Sequence, residues 1–309
     1  GLPLKLKLIY FSSMALIKIG TRGSDLALWQ ANFVKSELEK LGCVVEINII
    51  KTQGDMIQNL SFDKLEGKGF FTKEIEDALL NETVDLAVHS HKDLETNQPK
   101  GLEIAAVSER ENPSDILIIK RGAYDRSKSL SLKDGAIVGT SSARRKALLN
   151  GFRTDIEIKD LRGNVPTRID KLRHENYDAI VLAHAGVSRL KIDLSEFQVE
   201  VLKPQEFIPA PAQGVLGLQI RSNDDTTRKY VSQMNNAAVK SIINIERGVL
   251  NKLNGGCQLP LGVYAERIDG EFEVWTALGQ EDGSIKRLQS TFECEEGAAD
   301  SIIENLKKK

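Results

Sequence analysis

The sequence predicts an α/β protein of two lobes that is followed by a small α+β domain. Short apolar runs alternate with stretches of helical period from residue 14 to residue 203, which is typical of mixed, mostly parallel sheets covered by helices. Proline-containing segments at 109–115 and 204–214 divide this pattern, and we expect the second segment to return the chain to the first lobe. Beyond residue 235 the Asp-Gly turns between apolar runs predict a small antiparallel sheet.

Three strands and two helices are predicted for the first lobe. Apolar runs at 15–20, 44–50 and 84–89 indicate the strands. Ser24 is predicted to cap the first helix, in which apolar side chains recur every three or four residues. A second helix is expected over 72–80.

The second lobe and the final domain follow from the same patterns. Strands of the second lobe are predicted at 116–119, 136–139, 156–159 and 179–182. Its helices are predicted to begin near Ser141, Asn164 and Ala185, where small polar residues or glycines free the backbone N–H groups. The remaining predicted elements are a first-lobe strand at 215–220, a helix at 236–253, strands at 263–268, 271–278 and 285–292, and a helix at 297–307.

These elements give three predicted domains. The first lobe comprises 14–113 and 209–234, the second lobe 114–208, and the C-terminal α+β domain 235–309. Residues 1–13 precede Met14 and are interpreted as a leader or an added extension outside the fold.

Composition and charge exclude several classes of protein. Of the 309 residues, 41% are hydrophobic and 28% are charged, the balance of a soluble globular protein. The formal net charge of −2 argues against a globally basic nucleic-acid coat, and no apolar stretch reaches the roughly 18 residues that cross a bilayer. Three cysteines without a CxxC pair argue against a disulfide framework and a thiolate zinc site, so we expect a reducing, cytoplasmic compartment.

Positive charge concentrates between Ser141 and Arg173. This segment has nine basic and four acidic side chains, so its formal charge is +5 and the rest of the chain carries −7. Arg144, Arg145 and Arg162 lie beside glycine- and serine-rich turns that lead into predicted helices, and guanidinium groups at helix starts bind carboxylates or phosphates. The alternative is a set of solvated surface arginines.

A second candidate site directly follows the predicted strand at 84–89. Its sequence is HSHKD, from His89 to Asp93. Two histidines two positions apart project from the same side of an extended chain, so a metal pair has to be considered. Asp93 is interpreted either as a catalytic carboxylate that nearby cations keep ionised or as a helix-capping aspartate.

The third candidate site is Cys257 in the glycine-rich sequence GGCQLP. A cysteine on such a loop is interpreted as a nucleophile or a covalent attachment point, and the alternative is a small buried hydrophobic residue. Cys43 and Cys294 lie in ordinary helix-to-strand and strand-end positions and are interpreted as structural.

Six ordered motifs resemble the porphobilinogen deaminase family. They are TRGSDLALWQ (21–30), GKGFFTKE (67–74), DLAVHSHKD (85–93), GTSSARR (139–145), LRGNVPTR (161–168) and GGCQLPLG (255–262). The resemblance implies two lobes like those of periplasmic binding proteins with a third domain attached. It also implies a hydroxymethylbilane synthase, a transferase of tetrapyrrole biosynthesis that polymerises four porphobilinogen units, with release of ammonia, onto a covalently held dipyrromethane primer.

The same resemblance assigns roles to individual residues. Asp93 matches the catalytic carboxylate, which would be desolvated and would stabilise the positive charge that arises on pyrrole nitrogens. Cys257 matches the cysteine that holds the dipyrromethane by a thioether, and no metal is implied. The residues matched to cofactor and substrate binding are Arg22, Ser24, Lys68, Phe71, Ser90, Lys92, Thr140, Ser142, Arg144, Arg145, Arg162, Arg168, Arg189 and Gln213, with Lys68 and Phe71 on a mobile loop.

Some positions depart from the family pattern. His91 stands where methionine is more usual, and Ala212 where glycine is more usual, so we hypothesise that His91 alters the pH dependence.

The chief alternative function is a non-catalytic two-lobed anion-binding module, and a second is a metal hydrolase that uses His89 and His91. The expected partners are porphobilinogen and the linear tetrapyrrole product, without nucleic acid or membrane, and the chain is expected to be a monomer.

Overall fold

The computed structural model of the chain describes residues 14–57, 69–256 and 258–308. Two of the predicted site residues, Lys68 and Cys257, lie outside the described residues, as does the predicted extension at 1–13. The helices are α1 (Asp25–Lys40), α2 (Gln53–Met56), α3 (Lys73–Leu80), α4 (Ala143–Phe152), α5 (Val165–His174), α6 (His184–Leu190), α7 (Asp225–Val231), α8 (Ala237–Lys252) and α9 (Ala298–Lys307). The strands are β1 (Leu16–Thr21), β2 (Val44–Ile49), β3 (Leu86–Ser90), β4 (Leu102–Val107), β5 (Asp115–Ile119), β6 (Ile137–Gly139), β7 (Glu157–Lys159), β8 (Ala179–Ala183), β9 (Gln198–Val201), β10 (Leu216–Arg221), β11 (Leu261–Ile268), β12 (Glu271–Gly279) and β13 (Ile285–Phe292).

Two five-stranded sheets are the centres of the two lobes. The first lobe has the strand order β2-β1-β3-β10-β4 and the second lobe has the order β7-β6-β8-β5-β9. In the first lobe β1 is parallel to β2 and β3, whereas β10 runs antiparallel between β3 and β4. In the second lobe β6 is parallel to β7 and β8, whereas β5 runs antiparallel between β8 and β9. The predicted mixed α/β fold is confirmed, but parallel and antiparallel neighbours are equal in number because the strand that follows each crossing segment enters its sheet reversed.

Helix α1 shows how local sequence sets the fold of the first lobe. The Ser24 hydroxyl accepts a hydrogen bond from the Ala27 backbone N–H at 3.3 Å, as predicted for an N-cap. A cap of this kind contributes about 1 kcal/mol to helix stability. Ala31, Val34 and Leu38 recur at three- and four-residue spacing and are buried against the sheet, so they fix the orientation of the helix.

The C-terminal domain is the predicted antiparallel sheet covered by helices. Strands β11, β12 and β13 pair in sequence order, and helices α8 and α9 pack on one face. Asp269 and Gly270 both have positive φ angles, 51° and 86°, the backbone that a two-residue hairpin turn requires. The Asp-Gly sequence therefore places this turn as predicted.

Several elements differ from the sequence prediction. Strands β4 and β9 and helices α2 and α7 were not predicted. Helix α2 has only four residues, β9 is a short edge strand with alternating polar residues, and α7 contains two threonines, which are weak helix formers. Cys43 is buried, as a structural cysteine should be, whereas Cys294 is exposed, and its structural interpretation stays a prediction. None of the described helices has the length and apolar character to span a membrane.

Candidate active site

A pocket between the two lobes brings together side chains from distant parts of the chain. Its polar lining residues are Ser90, Lys92, Arg145, Arg168, Arg189 and Gln213. They lie at the end of β3, on the first turns of α4 and α5, on α6, and on the segment before β10. Four of them are cations, and none of the described lining residues is acidic, so the pocket favours an anion.

Arg144 and Arg145 lie on the first turn of α4 and share one buried carboxylate. Arg144 Nη1 donates to Asp115 Oδ2 at 2.7 Å, and Arg145 Nη2 donates to Asp115 Oδ1 at 2.9 Å. Burial alone would raise the pKa of Asp115, but the two guanidinium groups outweigh burial and hold the pKa well below its usual range. Asp115 therefore stays ionised and compensates one of the two positive charges.

Gln213 completes this cluster from the second crossing segment. Gln213 Nε2 donates to Asp115 Oδ1 at 2.9 Å and to the carbonyl of Pro113 at 2.8 Å. Arg144 also donates to the carbonyl of Ile208 at 2.9 Å and is absent from the described pocket wall. Arg145 and Gln213 are thus at the surface of the pocket, and Arg144 lies behind them.

Burial destabilises the charged forms of Lys92 and Arg168. Burial, opposed by the attraction of Asp93, lowers the pKa of Lys92 to about 8. Burial and then Arg145 lower the pKa of Arg168 to about 10, again opposed by Asp93. Arg168 Nε is buried and has no hydrogen-bond partner among the described residues, so this donor is left for a ligand.

Arg189 closes the pocket on the side of α1. Its Nη2 donates to the carbonyl of Gly214 at 2.9 Å, and its guanidinium carbon lies 5.8 Å from the centre of the Trp29 ring. Trp29 belongs to the first lobe and Arg189 to the second, so this cation–π contact spans the two lobes. Burial lowers the pKa of Arg189, against the attraction of Glu111, but the side chain stays charged.

Asp93 ends a single 3-10 turn, His91–Asp93, that directly follows β3. Its side chain is exposed, which corrects the expectation of a desolvated carboxylate. The carboxylate forms no hydrogen bond or ion pair with the residues that the structure describes, yet it is close enough to Lys92 and Arg168 to favour their charged forms. Asp93 is therefore a negative group at the edge of a cationic pocket and does not cap a helix.

The two histidines beside Asp93 are not arranged as a metal pair. His89 Nε2 is bonded to Gln219 Oε1 at 2.8 Å inside the first lobe, so this nitrogen is already engaged. Burial, followed by the repulsion of Arg247, lowers the pKa of His91 to about 3. Because His91 is neutral at physiological pH, the structure does not support the hypothesis that its titration shapes the pH dependence.

Arg22, Ser24 and Phe71 lie at the start of α1 and near the start of α3. Arg22 Nη2 donates to Asp55 Oδ1 at 2.5 Å, and its guanidinium carbon lies 4.4 Å from the centre of the Phe71 ring. Burial acts to raise the pKa of Asp55, but hydrogen bonds from Arg22 and Thr52 outweigh it and lower that pKa. Arg22 therefore ties α2 and the segment before α3 to the end of β1.

Thr140, Ser142 and Arg162 lie on the turns that lead into α4 and α5. The Ser142 hydroxyl accepts from the Arg145 backbone N–H at 3.2 Å and caps α4, and Thr140 Oγ1 accepts from the Ser142 backbone N–H at 3.2 Å. Arg162 is half-buried and is absent from the described pocket wall. The two hydroxyls thus orient the turn that places Arg145.

Sequence reasoning missed two residues that support this site. Asp115 was assigned to a polar crossing segment, but it is the first residue of β5 and is completely buried. A carboxylate opening the apolar run DILII was the available signal, because a buried strand tolerates a charge only when it is paired. Gln30 lies on the buried face of α1 and donates to Ser90 Oγ at 3.0 Å.

Comparison with known proteins identifies the family. The model "porphobilinogen deaminase, dipyromethane cofactor binding domain" matches residues 17–229, and "porphobilinogen deaminase, C-terminal domain" matches residues 241–304. The porphobilinogen deaminase of Chloroherpeton thalassium is 43% identical over 276 residues, which are 88% of this chain and 86% of that protein. The chain belongs to the porphobilinogen deaminase family.

Porphobilinogen deaminase is a transferase of tetrapyrrole biosynthesis, hydroxymethylbilane synthase, and its cofactor is a dipyrromethane. The predicted family, activity and cofactor are confirmed, and the alternatives of a non-catalytic binding module and a metal hydrolase are set aside. An arginine-specific periplasmic binding protein of Salmonella typhimurium is similar at 12% identity and a TM-score of 0.41, covering 71% of this chain and 91% of its own. A periplasmic domain of Bordetella pertussis BvgS is similar at 11% identity and a TM-score of 0.43, covering 81% and 97%.

The described pocket suits a dipyrromethane, whose pyrrole rings carry carboxylate side chains. Lys92, Arg145, Arg168 and Arg189 supply cations on several sides of the pocket. The unpartnered Nε of Arg168 is a buried donor that a carboxylate oxygen would satisfy. Asp93 lies at the edge of the same pocket, close enough to Lys92 and Arg168 to favour their charged forms.

Proposed function

We propose that porphobilinogen deaminase activity in this chain rests on Asp93 as the catalytic carboxylate and on the pocket cations as the carboxylate-binding groups. The observation that carries this proposal is the arrangement of four cations around one pocket with the exposed Asp93 at its edge. When bound, the dipyrromethane supplies the primer to which porphobilinogen units are added.

The pocket cations would bind and orient the carboxylate side chains of the cofactor and the substrate. Guanidinium groups form two parallel hydrogen bonds with a carboxylate, so Arg145, Arg168 and Arg189 would each fix the direction of a side-chain acid as well as its position. Lys92 adds a point charge next to Asp93. Because Asp115 holds Arg145 from behind, this guanidinium keeps its place before any ligand arrives.

Asp93 acts on the charge that develops during the reaction. Its carboxylate is unpaired with the described residues, so it is available to N–H groups of the substrate pyrrole. A fixed negative charge stabilises positive charge on those nitrogens and accepts or returns a proton.

We extend the proposal to the predicted binding residues away from the pocket wall. Arg22, Ser24, Phe71, Thr140, Ser142, Arg144 and Arg162 act in cofactor and substrate binding, with Cys257 as the thioether attachment point and Lys68 as a loop contact. The cation–π contact of Arg22 with Phe71 supports a role for both, because it orders the segment that follows Lys68 in the sequence. We also propose that the chain acts as a monomer in the cytoplasm, without nucleic acid or membrane partners, and its unpaired Cys43 and Cys294 support a reducing compartment.

Replacing Asp93 by asparagine tests the proposal. Asp93→Asn keeps the shape of the side chain and removes its charge, so turnover of porphobilinogen should fall at least about 100-fold. The attached cofactor, measured by intact mass, should remain. Asp77→Asn is the matched control, because Asp77 is also an exposed aspartate of the first lobe but lies on α3. Turnover of Asp93→Asn within twofold of the control would refute the role of Asp93.

A further inference from the structure

A buried polar network lies behind the turn that carries Asp93, and the pocket does not include it. Gln219 on β10 is completely buried and is its centre. Gln219 Nε2 donates to Glu76 Oε2 at 3.0 Å and to Gln98 Oε1 at 2.8 Å. His89 Nε2 lies 2.8 Å from Gln219 Oε1.

Hydrogen-bond chemistry fixes the direction of each bond in this network. The side-chain NH₂ of Gln219 points at two oxygen acceptors, so its Oε1 is the atom that faces His89. An amide oxygen only accepts, and His89 Nε2 must therefore carry the proton. The imidazole is the neutral Nε2–H tautomer, in agreement with burial, which lowers the pKa of His89.

The strand register explains why these side chains meet. Gly217 pairs with His89 and Gln219 pairs with Ala87 in the antiparallel ladder of β3 and β10, so His89 and Gln219 are diagonal neighbours on one face. Helix α3 covers this face and brings Glu76 down onto it. A Cβ at Gly217 would lie 2.9 Å from Leu94 Cδ1 and 3.2 Å from His91 Cδ2, so the glycine lets the Asp93 turn pack directly on the sheet.

Two of the three partners of Gln219 flank Asp93 in the chain. His89 lies four residues before Asp93 and Gln98 lies five residues after it, so the chain on both sides of the Asp93 turn is tied to one side chain. Glu76 ties the same side chain to α3. Each bond is buried or partly buried, where an unsatisfied partner costs more than the bond contributes in water.

We propose that Gln219 is a positioning residue for Asp93, because its amide holds the chain on both sides of the Asp93 turn, at His89 and Gln98, and helix α3 in one buried network. This inference rests on the proposed role of Asp93. Gln219 is not among the described residues that line the pocket, so we expect its effect to reach the reaction through the position of the carboxylate.

A double-mutant cycle between Gln219 and Asp93 tests the inference. Gln219→Met keeps the volume of the side chain and removes all three hydrogen bonds, so kcat should fall about 10- to 100-fold while the cofactor remains attached. In the Asp93→Asn background the same substitution should change the residual turnover less than about twofold, because the group that it positions is gone. Single-turnover measurements on the cofactor-loaded enzyme supply both values.

Three further variants separate positioning from stability. Gln233→Met is the chemical control, because Gln233 is an exposed glutamine whose side chain donates to the nearby Lys229 carbonyl, and it should leave kcat unchanged. Leu38→Ala removes a buried side chain of the first lobe outside the network, so it should lower the melting temperature without a kcat loss of this size. If Gln219→Met does not fold, Gln98→Met removes one bond at a half-buried site and should lower kcat in the same non-additive way.

The outcomes distinguish this inference from the proposed function. If the fold-losses in turnover of Gln219→Met and Asp93→Asn multiply in the double variant, the positioning role is overturned and the role of Asp93 stays intact. An unchanged kcat in both Gln219→Met and Gln98→Met would have the same meaning. Wild-type turnover in Asp93→Asn alone would overturn both.

Discussion

Asp115 supports the cationic pocket, and replacing it by asparagine should destabilise the protein by about 3–5 kcal/mol at neutral pH. The carboxylate is 0% exposed and accepts hydrogen bonds from Arg144 at 2.7 Å, Arg145 at 2.9 Å and Gln213 at 2.9 Å. Asparagine keeps the size and one acceptor oxygen but removes the charge. Two buried guanidinium groups then remain without a counter-ion, and this is the origin of the large cost.

The loss of unfolding free energy in Asp115→Asn should become smaller at low pH. Burial alone would raise the pKa of Asp115, but Arg144 and Arg145 hold it well below the ordinary value of about 3.9. A carboxyl whose pKa is lower in the folded than in the unfolded state contributes stability that is fully present above about pH 4 and is lost as the pH falls further. The difference between wild type and Asp115→Asn should therefore be constant from pH 7 to about pH 5 and shrink below about pH 4.

Urea titrations at a series of pH values, followed by circular dichroism, measure this difference. Asp160→Asn is the matched control, because Asp160 bonds Lys146 at the same 2.7 Å but its side chain is 61% exposed. A surface pair of this kind contributes less than about 1 kcal/mol. A loss for Asp115→Asn that is no larger than the control, or one that grows as the pH falls below 4, would refute the account of a buried, charge-compensating carboxylate.

Other predictions concern single charges around the site. Burial lowers the pKa of Lys92 to about 8, so its positive charge is lost as the pH rises through that value. The kcat/KM of the wild type should therefore fall above about pH 8, whereas Lys92→Arg should keep its kcat/KM there. Identical pH profiles of the two proteins would contradict this role of the Lys92 charge. Burial and then Arg247 lower the pKa of His91 to about 3, so His91→Met should leave the pH profile of kcat unchanged between about pH 5 and pH 9, and a displaced profile would contradict a neutral imidazole. Glu246 is completely buried and accepts from Arg110 at 2.7 Å, Ala212 N at 2.8 Å and Ala265 N at 2.9 Å. Glu246→Gln should therefore lower the free energy of unfolding by about 3 kcal/mol in urea titrations, and a loss under about 1 kcal/mol would contradict a buried carboxylate that compensates Arg110.

Local signals in the sequence predicted much of the fold because they act over a few residues. Ser24 and Asn164 cap helices where small polar residues precede an apolar stripe. The Asp269–Gly270 turn was predicted from its Asp-Gly sequence, because these residue types tolerate the positive φ angles that the structure shows. The direction of β10 depends instead on how the crossing segment at 204–214 returns to the first sheet. No local pattern encodes that direction, so the balance of parallel and antiparallel pairs was not predictable.

The site shows the same division between local and distant information. The motifs identified the pocket cations Lys92, Arg145 and Arg168, and the family resemblance added Arg189; the fold places all four around one cavity. The motifs did not show that the guanidinium of Arg144 is bound to Asp115, because these two residues are 29 positions apart and meet only in the folded interior. The exposure of Asp93 likewise depends on packing of the turn against Gly217, which only the assembled sheet shows.

The intact mass of the purified chain tests the central claim most directly, namely that the cationic pocket serves a dipyrromethane held by Cys257. Wild type should be heavier than its sequence by one dipyrromethane, and Cys257→Ser should match its sequence mass. Cys43→Ser, which removes a different cysteine, should keep the added mass. A folded wild-type chain without the excess, or an excess that persists in Cys257→Ser, would contradict the account.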